Sequence, residues 1–225
     1  ELPIQGLSIT MPLKQAIIEH LDGSDALTEK IGACNTVIRS TDGKLYGFNT
    51  DVAGIVRPLE EHIMLRGARV LVVGAGGAAR AAVFGLAERG CDVHIVNRTS
   101  QHGQKLAREA KVKYVPRKQL PQMDFDVIIQ ATPVGMKSSR PEAPLEEKEL
   151  RAKYLFEMIY SPVETKLVKM ARAKGMHVIT GVEMFVHQGA RQFEIWTGKP
   201  APAEEMRRAV LHALAQQAAS PEQHN

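Results

Sequence analysis

The chain has 225 residues, enough to bury a substantial core in one large domain or two smaller ones. At 44% hydrophobic and 24% charged, with a net charge of +4, it reads as an ordinary globular chain and not as a disordered one. Basic residues interleave with acids and aromatics are few, which argues against nucleic acid as a partner; no segment is apolar for long enough to span a bilayer, which argues against a membrane.

Taken in order, Gln5–Thr10 alternates apolar and polar residues and predicts an interior strand. Pro12 then stands where helices begin, and Leu13, Ala16, Ile17 and Leu21 follow at helical spacing, so a helix is expected over Leu13–Leu21. Lys14 would fall in its first turn, where unpaired N–H groups make a cation unfavourable by about 0.3–1 kcal/mol. It is either a solvated surface lysine or one placed there for its chemistry. A helical turn over Asp25–Ile31 and a hairpin turning at Asp42-Gly43 complete the first fifty residues.

From Arg69 the texture changes. Short apolar strands alternate with helices about every thirty residues: "RVLVV", a glycine turn and a helix, "DVHIV", a helix over Gln101–Ala110, "KVKYV", "DVIIQATP", "YLFEMIY", a helix over Val163–Lys174, and "MHVIT". Six such strands predict an α/β, doubly wound parallel sheet of the dinucleotide-binding kind. Helices over Glu183–Trp196 and Ala203–Ala219 follow, and the tail "SPEQHN" is expected to fray. The expected organisation is a partial substrate domain at 1–51, a nucleotide domain at 52–180 and returning helices at 181–225.

"VVGAGGAARA" matches the G-x-G-x-x-G/A fingerprint through Gly74, Gly76 and Ala79, between a buried strand and a helix. Gly74 permits the tight turn, and the amides of Gly76, Gly77 and Ala78 would face a pyrophosphate. At the end of the second strand NAD binders usually place an acid for the ribose hydroxyls, whereas this chain has Asn97, Arg98 and Thr99. An arginine there suits a 2′-phosphate, unless it is merely a solvated loop residue. Asp51 is an N-cap or a functional carboxylate. Asn35 satisfies the hairpin backbone or a ligand, and Gln188 is solvated or faces a site. "ATPVGM", with Thr132, follows the fourth strand, where the crevice of such sheets lies. Cys34 and Cys91 have neither metal-ligand nor disulfide-framework spacing, which fits a reducing, cytoplasmic setting.

In this order the segments "GLSITMPLK", "ACNTV", "NTDVAG", "GAGGA", "NRT", "ATPVGM" and "GVEMFVHQ" resemble the shikimate dehydrogenase family from about Gly6 to Trp196. The resemblance implies a reversible, NADPH-dependent reduction of 3-dehydroshikimate to shikimate in aromatic amino-acid biosynthesis. It carries the catalytic pair to Lys14 and Asp51, and substrate contacts to Thr10, Asn35, Asp51, Tyr160 and Gln188. Cofactor contacts fall on Gly74, Ala75, Gly76, Gly77, Ala78, Asn97, Arg98, Thr99, Thr132, Met158 and Gly181, with no metal. Hydride transfer to a ketone needs a proton beside the new hydroxyl, and a helix start that disfavours an ammonium suits a lysine that must give its proton up.

Some features depart from the family pattern. "EMIYSPVET" places Glu157 and Ser161 where aspartate and asparagine are more usual, and His102 stands where a further basic residue is common. The family's opening S-x-S segment, which holds the substrate carboxylate, does not occur in this sequence, so the substrate domain is expected to be incomplete and to handle shikimate poorly. A quinate/shikimate dehydrogenase of mixed cofactor use and a non-catalytic metabolite-binding module of the same fold are the alternatives. A homodimer and a fused or upstream pathway module both stay open as partners.

Overall fold

The structure, a computed structural model, describes residues 4–136 and 142–219; the tail 220–225 lies outside them. Two sheets organise it. The smaller has four strands: β1 (Gly6–Ser8), β2 (Gly23–Ser24), β3 (Thr36–Arg39) and β4 (Leu45–Phe48), in the order β1-β3-β4-β2. β3 and β4 form the expected antiparallel hairpin, with Gly43 at φ +87° in its turn. Helix α1 (Ala26–Ile31) begins on Asp25, whose carboxylate accepts from the Thr28 amide at 2.7 Å. Helix α2 (Asp51–Glu60) leads from this sheet to the larger one.

The larger sheet holds β5 (Arg69–Val73), β6 (Asp92–Val96), β7 (Lys113–Tyr114), β8 (Phe125–Gln130), β9 (Ala152–Glu157) and β10 (His177–Ile179). All its pairings are parallel, in the order β10-β9-β8-β5-β6-β7. Counted within the sheet this is the 3-2-1-4-5-6 order of a Rossmann fold. Its strands are continuous apolar runs because both faces are covered. Val70, Val72, Val127 and Ile129 pack in one cluster with α2 and with α3 (Gly77–Glu88). The alternate residues Leu71, Val73 and Ile128 pack in the other with α5 (Lys166–Ala173). Helix α4 (Ser100–Glu109) connects β6 to β7, and α6 (Gly181–Thr197) and α7 (Ala203–Ala219) follow the sheet.

Helix α6 returns to the small sheet. Trp196 Nε1 donates to the Val37 carbonyl of β3 at 3.1 Å. Its crossing with α2 is close because Gly54 has no side chain: a Cβ there would lie 2.7 Å from the Met184 carbonyl oxygen.

Several expectations are corrected. β1 is shorter than Gln5–Thr10 and is not interior: among the described residues it pairs only with β3 and forms the sheet edge. No α-helix spans Leu13–Leu21. Residues 11–15 are a turn, the Met11–Pro12 peptide is cis, and only a 3-10 helix over Ala16–His20 follows, with no buried residue. The Lys14 carbonyl is taken by the Cys34 amide at 2.7 Å, while the Ile18 amide turns to Gln15, so the α-helical ladder cannot form. Thr50, not Asp51, is the N-cap of α2, and α5 starts at Lys166 because Thr165 caps it, accepting from Val168 N at 3.1 Å. α6 runs a little beyond Glu183–Trp196 at both ends.

Candidate active site

The residues before β3, after β4 and on α6 converge on Asn35. Its backbone is fixed first: the amide donates to the Phe48 carbonyl at 3.1 Å and the carbonyl accepts from Ile9 N at 2.8 Å. The buried side chain is thereby aimed at the start of α2. Asn35 Oδ1 accepts from Thr50 N at 2.8 Å, and Nδ2 donates to Asp51 Oδ1 at 2.9 Å and lies 3.4 Å from Gln188 Oε1. Asn35 therefore braces the backbone at the start of α2 and also reaches the Asp51 carboxylate. Asp51 is the first residue of α2, where the helix dipole favours a carboxylate. Its other oxygen, Oδ2, accepts from Lys14 Nζ at 2.6 Å. The Asp51 side chain is 3% exposed and that of Lys14 16%, so the carboxylate is enclosed while the lysine side chain is partly open to solvent.

Lys14 also touches the glycine turn. A Cβ at Gly77 would lie 3.8 Å from Lys14 Cδ. The dinucleotide fingerprint and the Lys–Asp pair thus share one cleft. Gly74, at φ +124°, brings its backbone against the next loop: a Cβ would stand 2.9 Å from the Ala131 carbonyl oxygen and 3.1 Å from Thr132 Cγ2. Gly76 caps α3 with no side-chain bond and faces open space, and the first amides of α3 at Gly77 and Ala78 follow it. Ala75 lies between Gly74 and Gly76 in this turn. The Gly74 amide donates to Val96 O at 2.9 Å, which sets the end of β6 beside the turn. Beyond it Asn97 Nδ2 binds Thr99 O at 2.9 Å, Thr99 makes no side-chain cap bond to α4, and Arg98 is exposed.

Thr132, Met158 and Gly181 stand just after β8, just after β9 and at the start of α6. The Met158 amide donates to Gln130 O at 3.1 Å. Gly181 opens α6 so close to this strand end that a Cβ would lie 2.5 Å from the Ile159 carbonyl carbon and oxygen. Tyr160 is half-exposed and packs on Phe185 with ring centroids 4.8 Å apart, one turn before Gln188. Thr10 is exposed in the turn before Lys14 and offers its carbonyl to Leu13 N at 2.9 Å. A separate cleft of about 400 Å³ is lined by Arg57, Glu60, Glu61, His187 and Glu194, and it includes none of these residues.

Gln192 was not anticipated. It is 5% exposed, and its Nε2 lies within 3.1 Å of Ser8 Oγ, Asn35 O and Thr36 Oγ1. It braces the Asn35 backbone from α6. Its position four residues after Gln188 puts both amides on one helix face, the one sequence signal that pointed to it.

Three family models match the chain. The shikimate dehydrogenase substrate binding domain matches residues 1–37, shikimate / quinate 5-dehydrogenase residues 58–152, and the shikimate 5′-dehydrogenase C-terminal domain residues 181–211. A shikimate dehydrogenase (NADP(+)) of Methanosarcina acetivorans is 40% identical over 222 residues, 93% of this chain and 79% of the relative. Shikimate 5-dehydrogenase of Thermus thermophilus, solved in complex with NADP(H) and shikimate, is 36% identical with a TM-score of 0.87, covering 94% and 80% of the two chains. A chorismate mutase/shikimate 5-dehydrogenase fusion protein of Clostridium acetobutylicum is 30% identical with a TM-score of 0.84, covering 96% and 79%. With the relatives matched over four fifths of their length and the motifs in the same cleft, the chain belongs to the shikimate dehydrogenase family.

Proposed function

We propose that the chain is an NADP-dependent oxidoreductase acting on a CH–OH group, interconverting 3-dehydroshikimate and shikimate in the cytoplasm. The observation that carries this is the Lys14–Asp51 pair at 2.6 Å, set against the glycine turn that would hold the cofactor. The donor set fits the dinucleotide. The uncapped start of α3 suits a pyrophosphate, Gly76 leaves room for close approach, and Arg98 with Thr99 at the end of β6 suits a 2′-phosphate. Thr132, Met158 and Gly181 would wall the nicotinamide end. Residues 52–180 would form the NADP-binding part, with 1–51 and 181–225 contributing the substrate side.

When bound, the cofactor supplies a hydride to the ketone carbon. The chain's own residues manage the proton. Lys14 Nζ gives one to the carbonyl oxygen as it becomes a hydroxyl and regains one from solvent, to which its side chain is partly open; oxidation runs the same transfer backwards. Asp51 holds the ammonium in place, and Asn35 holds Asp51. Thr10, Asn35, Tyr160 and Gln188, with Asp51, would bind the substrate's hydroxyls. A non-catalytic binding module would have no use for this enclosed proton-transfer pair. The fused relative makes an attached pathway enzyme the natural kind of partner, and a homodimer is the simplest assembly.

The test is steady-state turnover of 3-dehydroshikimate with NADPH and with NADH. A kcat/KM clearly higher for NADPH is expected. Equal values would remove the NADP assignment to Arg98, and no turnover with either would remove the reaction.

A further inference from the structure

Gln130 and Glu157 have no part in that mechanism, yet both are 0% exposed. They end adjacent strands, and the β8–β9 register pairs Gln130 with Glu157, so the two side chains leave the same face of the sheet. Each turns onto the loop that follows its own strand. Gln130 Oε1 accepts from the Thr132 amide and hydroxyl, both at 3.0 Å, and Nε2 donates to the Thr132 and Val134 carbonyls at 3.1 and 3.0 Å. Glu157 accepts from Ile159 N at 3.2 Å and from the Thr165 hydroxyl at 2.9 Å. The two loops meet at Gly135, where a Cβ would stand 3.5 Å from Ile159 Cδ1 and 3.6 Å from Thr165 Cβ. These are the loops that carry Thr132, Met158 and Tyr160.

Gln130 makes the same bonds at any pH. Glu157 does not. β8 presents Gln130 to it, α5 presents Thr165, β10 ends at Ile179 and α6 opens at Gly181; none of these groups is charged. Burial pushes its carboxyl up to about 7, against the hydrogen bonds from the Ile159 amide and the Thr165 hydroxyl that hold it down. As a carboxylate it accepts two charge-assisted bonds. Protonated, it must donate to Thr165, whose own hydroxyl hydrogen then loses its acceptor, and the bond from Ile159 becomes a neutral one.

We propose that Glu157 is a positioning residue: through the Ile159 amide and the Thr165 hydroxyl its carboxylate sets the 158–165 loop against the cofactor cleft, and its ionisation makes dinucleotide binding pH-dependent. This rests on the reading of that cleft as the NADP site, so binding and turnover are measured separately.

NADPH is titrated by its fluorescence into the wild-type protein and Glu157→Gln, from about pH 5.5 to about pH 8.5. The wild-type Kd should rise about fivefold as pH falls through the Glu157 midpoint, the worth of charge assistance to one or two bonds. Glu157→Gln should lack that step and stay near the weaker limit. The 2′-phosphate titrates identically in both, so the difference reports Glu157. A wild-type step retained in Glu157→Gln, or no step in the wild type, overturns the proposal. Should Glu157→Gln fail to fold, ¹³C NMR of the wild-type glutamate carboxyls decides. Binding and protonation are reciprocal, so NADPH must lower the Glu157 midpoint, and an unmoved midpoint overturns the proposal. Turnover of 3-dehydroshikimate is followed alongside. A binding step without turnover removes the reaction and keeps the role of Glu157, and turnover without the step does the reverse.

Discussion

Replacing Glu157 by Gln should stabilise the fold above neutrality, by an amount that grows with pH. The carboxyl is raised from 4.5 to about 7 in the folded protein, chiefly by burial. Because the folded value lies above the unfolded one, its contribution is fully present below about pH 4.5 and is lost as pH rises through about 7. A gap from 4.5 to about 7, at about 1.4 kcal/mol for each step of one in pKa, comes to about 3 kcal/mol. The carboxamide has the same shape, can donate to Thr165 Oγ1 and accept from Ile159 N, and carries no charge to desolvate. Urea unfolding followed by circular dichroism at about pH 4.5, 6 and 8 gives the difference between variant and wild type, in which all other titrating groups cancel. That difference should widen by about 3 kcal/mol toward pH 8. A difference constant with pH would refute the reasoning, since it would mean that Glu157 titrates as if exposed. A difference that widens as expected marks the carboxylate as a group kept for placing the cofactor loop at the expense of stability, a recognised trade at functional sites.

Lys14→Ala should lower kcat by about 10²–10⁴-fold while NADPH binding survives, and near-normal kcat would return Lys14 to the status of a surface lysine. Asp51→Asn should also be impaired, yet the double variant should be little worse than Lys14→Ala alone, because Asp51 acts through Lys14; additive losses would separate their roles. Arg98→Ala should raise KM for NADPH with kcat nearly unchanged and leave KM for NADH alone, and a loss confined to kcat would contradict a phosphate contact remote from the reacting carbon. Gly181→Ala places a methyl 2.5 Å from the Ile159 backbone and should cost about 1–3 kcal/mol in thermal unfolding, whereas Gly189→Ala, which meets only Met206 Cε at 3.4 Å, should be tolerated; equal effects would show that the β9–α6 junction yields freely.

What could be read in advance followed periodicity. The parallel sheet was legible because its strands bury both faces and so appear as unbroken apolar runs bounded by glycine turns and helices. The hairpin was legible from Asp42-Gly43. The first twenty residues misled, because an apolar stripe over Leu13–Leu21 says nothing of what its backbone will bond. The Lys14 carbonyl goes to Cys34, a partner about twenty residues away, and no local pattern encodes that. The strand predicted as interior proved to be an edge among the described residues for a similar reason: alternation marks a pleat, not the number of neighbours. At the site, Gly74 and Gly76 announced themselves through the fingerprint. Glu157 and Gln192 did not, since a buried polar residue looks like a solvated one until its partners are in place.

At Lys14 the local expectation and the structure differ in what surrounds the side chain. Its expected setting was the first turn of its own helix, where unpaired amides oppose a cation. That helix does not exist. Lys14 lies with its stem against Gly77, at the uncapped start of α3, and its head on Asp51, at the start of α2. The partner that the structure gives the ammonium is a carboxylate itself favoured by the dipole of α2. The proposed proton donor and the proposed pyrophosphate site are therefore neighbours, since the α3 start beside the Lys14 stem is where the cofactor's pyrophosphate would bring negative charge. On the proposed function, the same short reach from Lys14 to Gly77 explains why the fingerprint glycines and the Lys–Asp pair, far apart in sequence, must come together before either is useful.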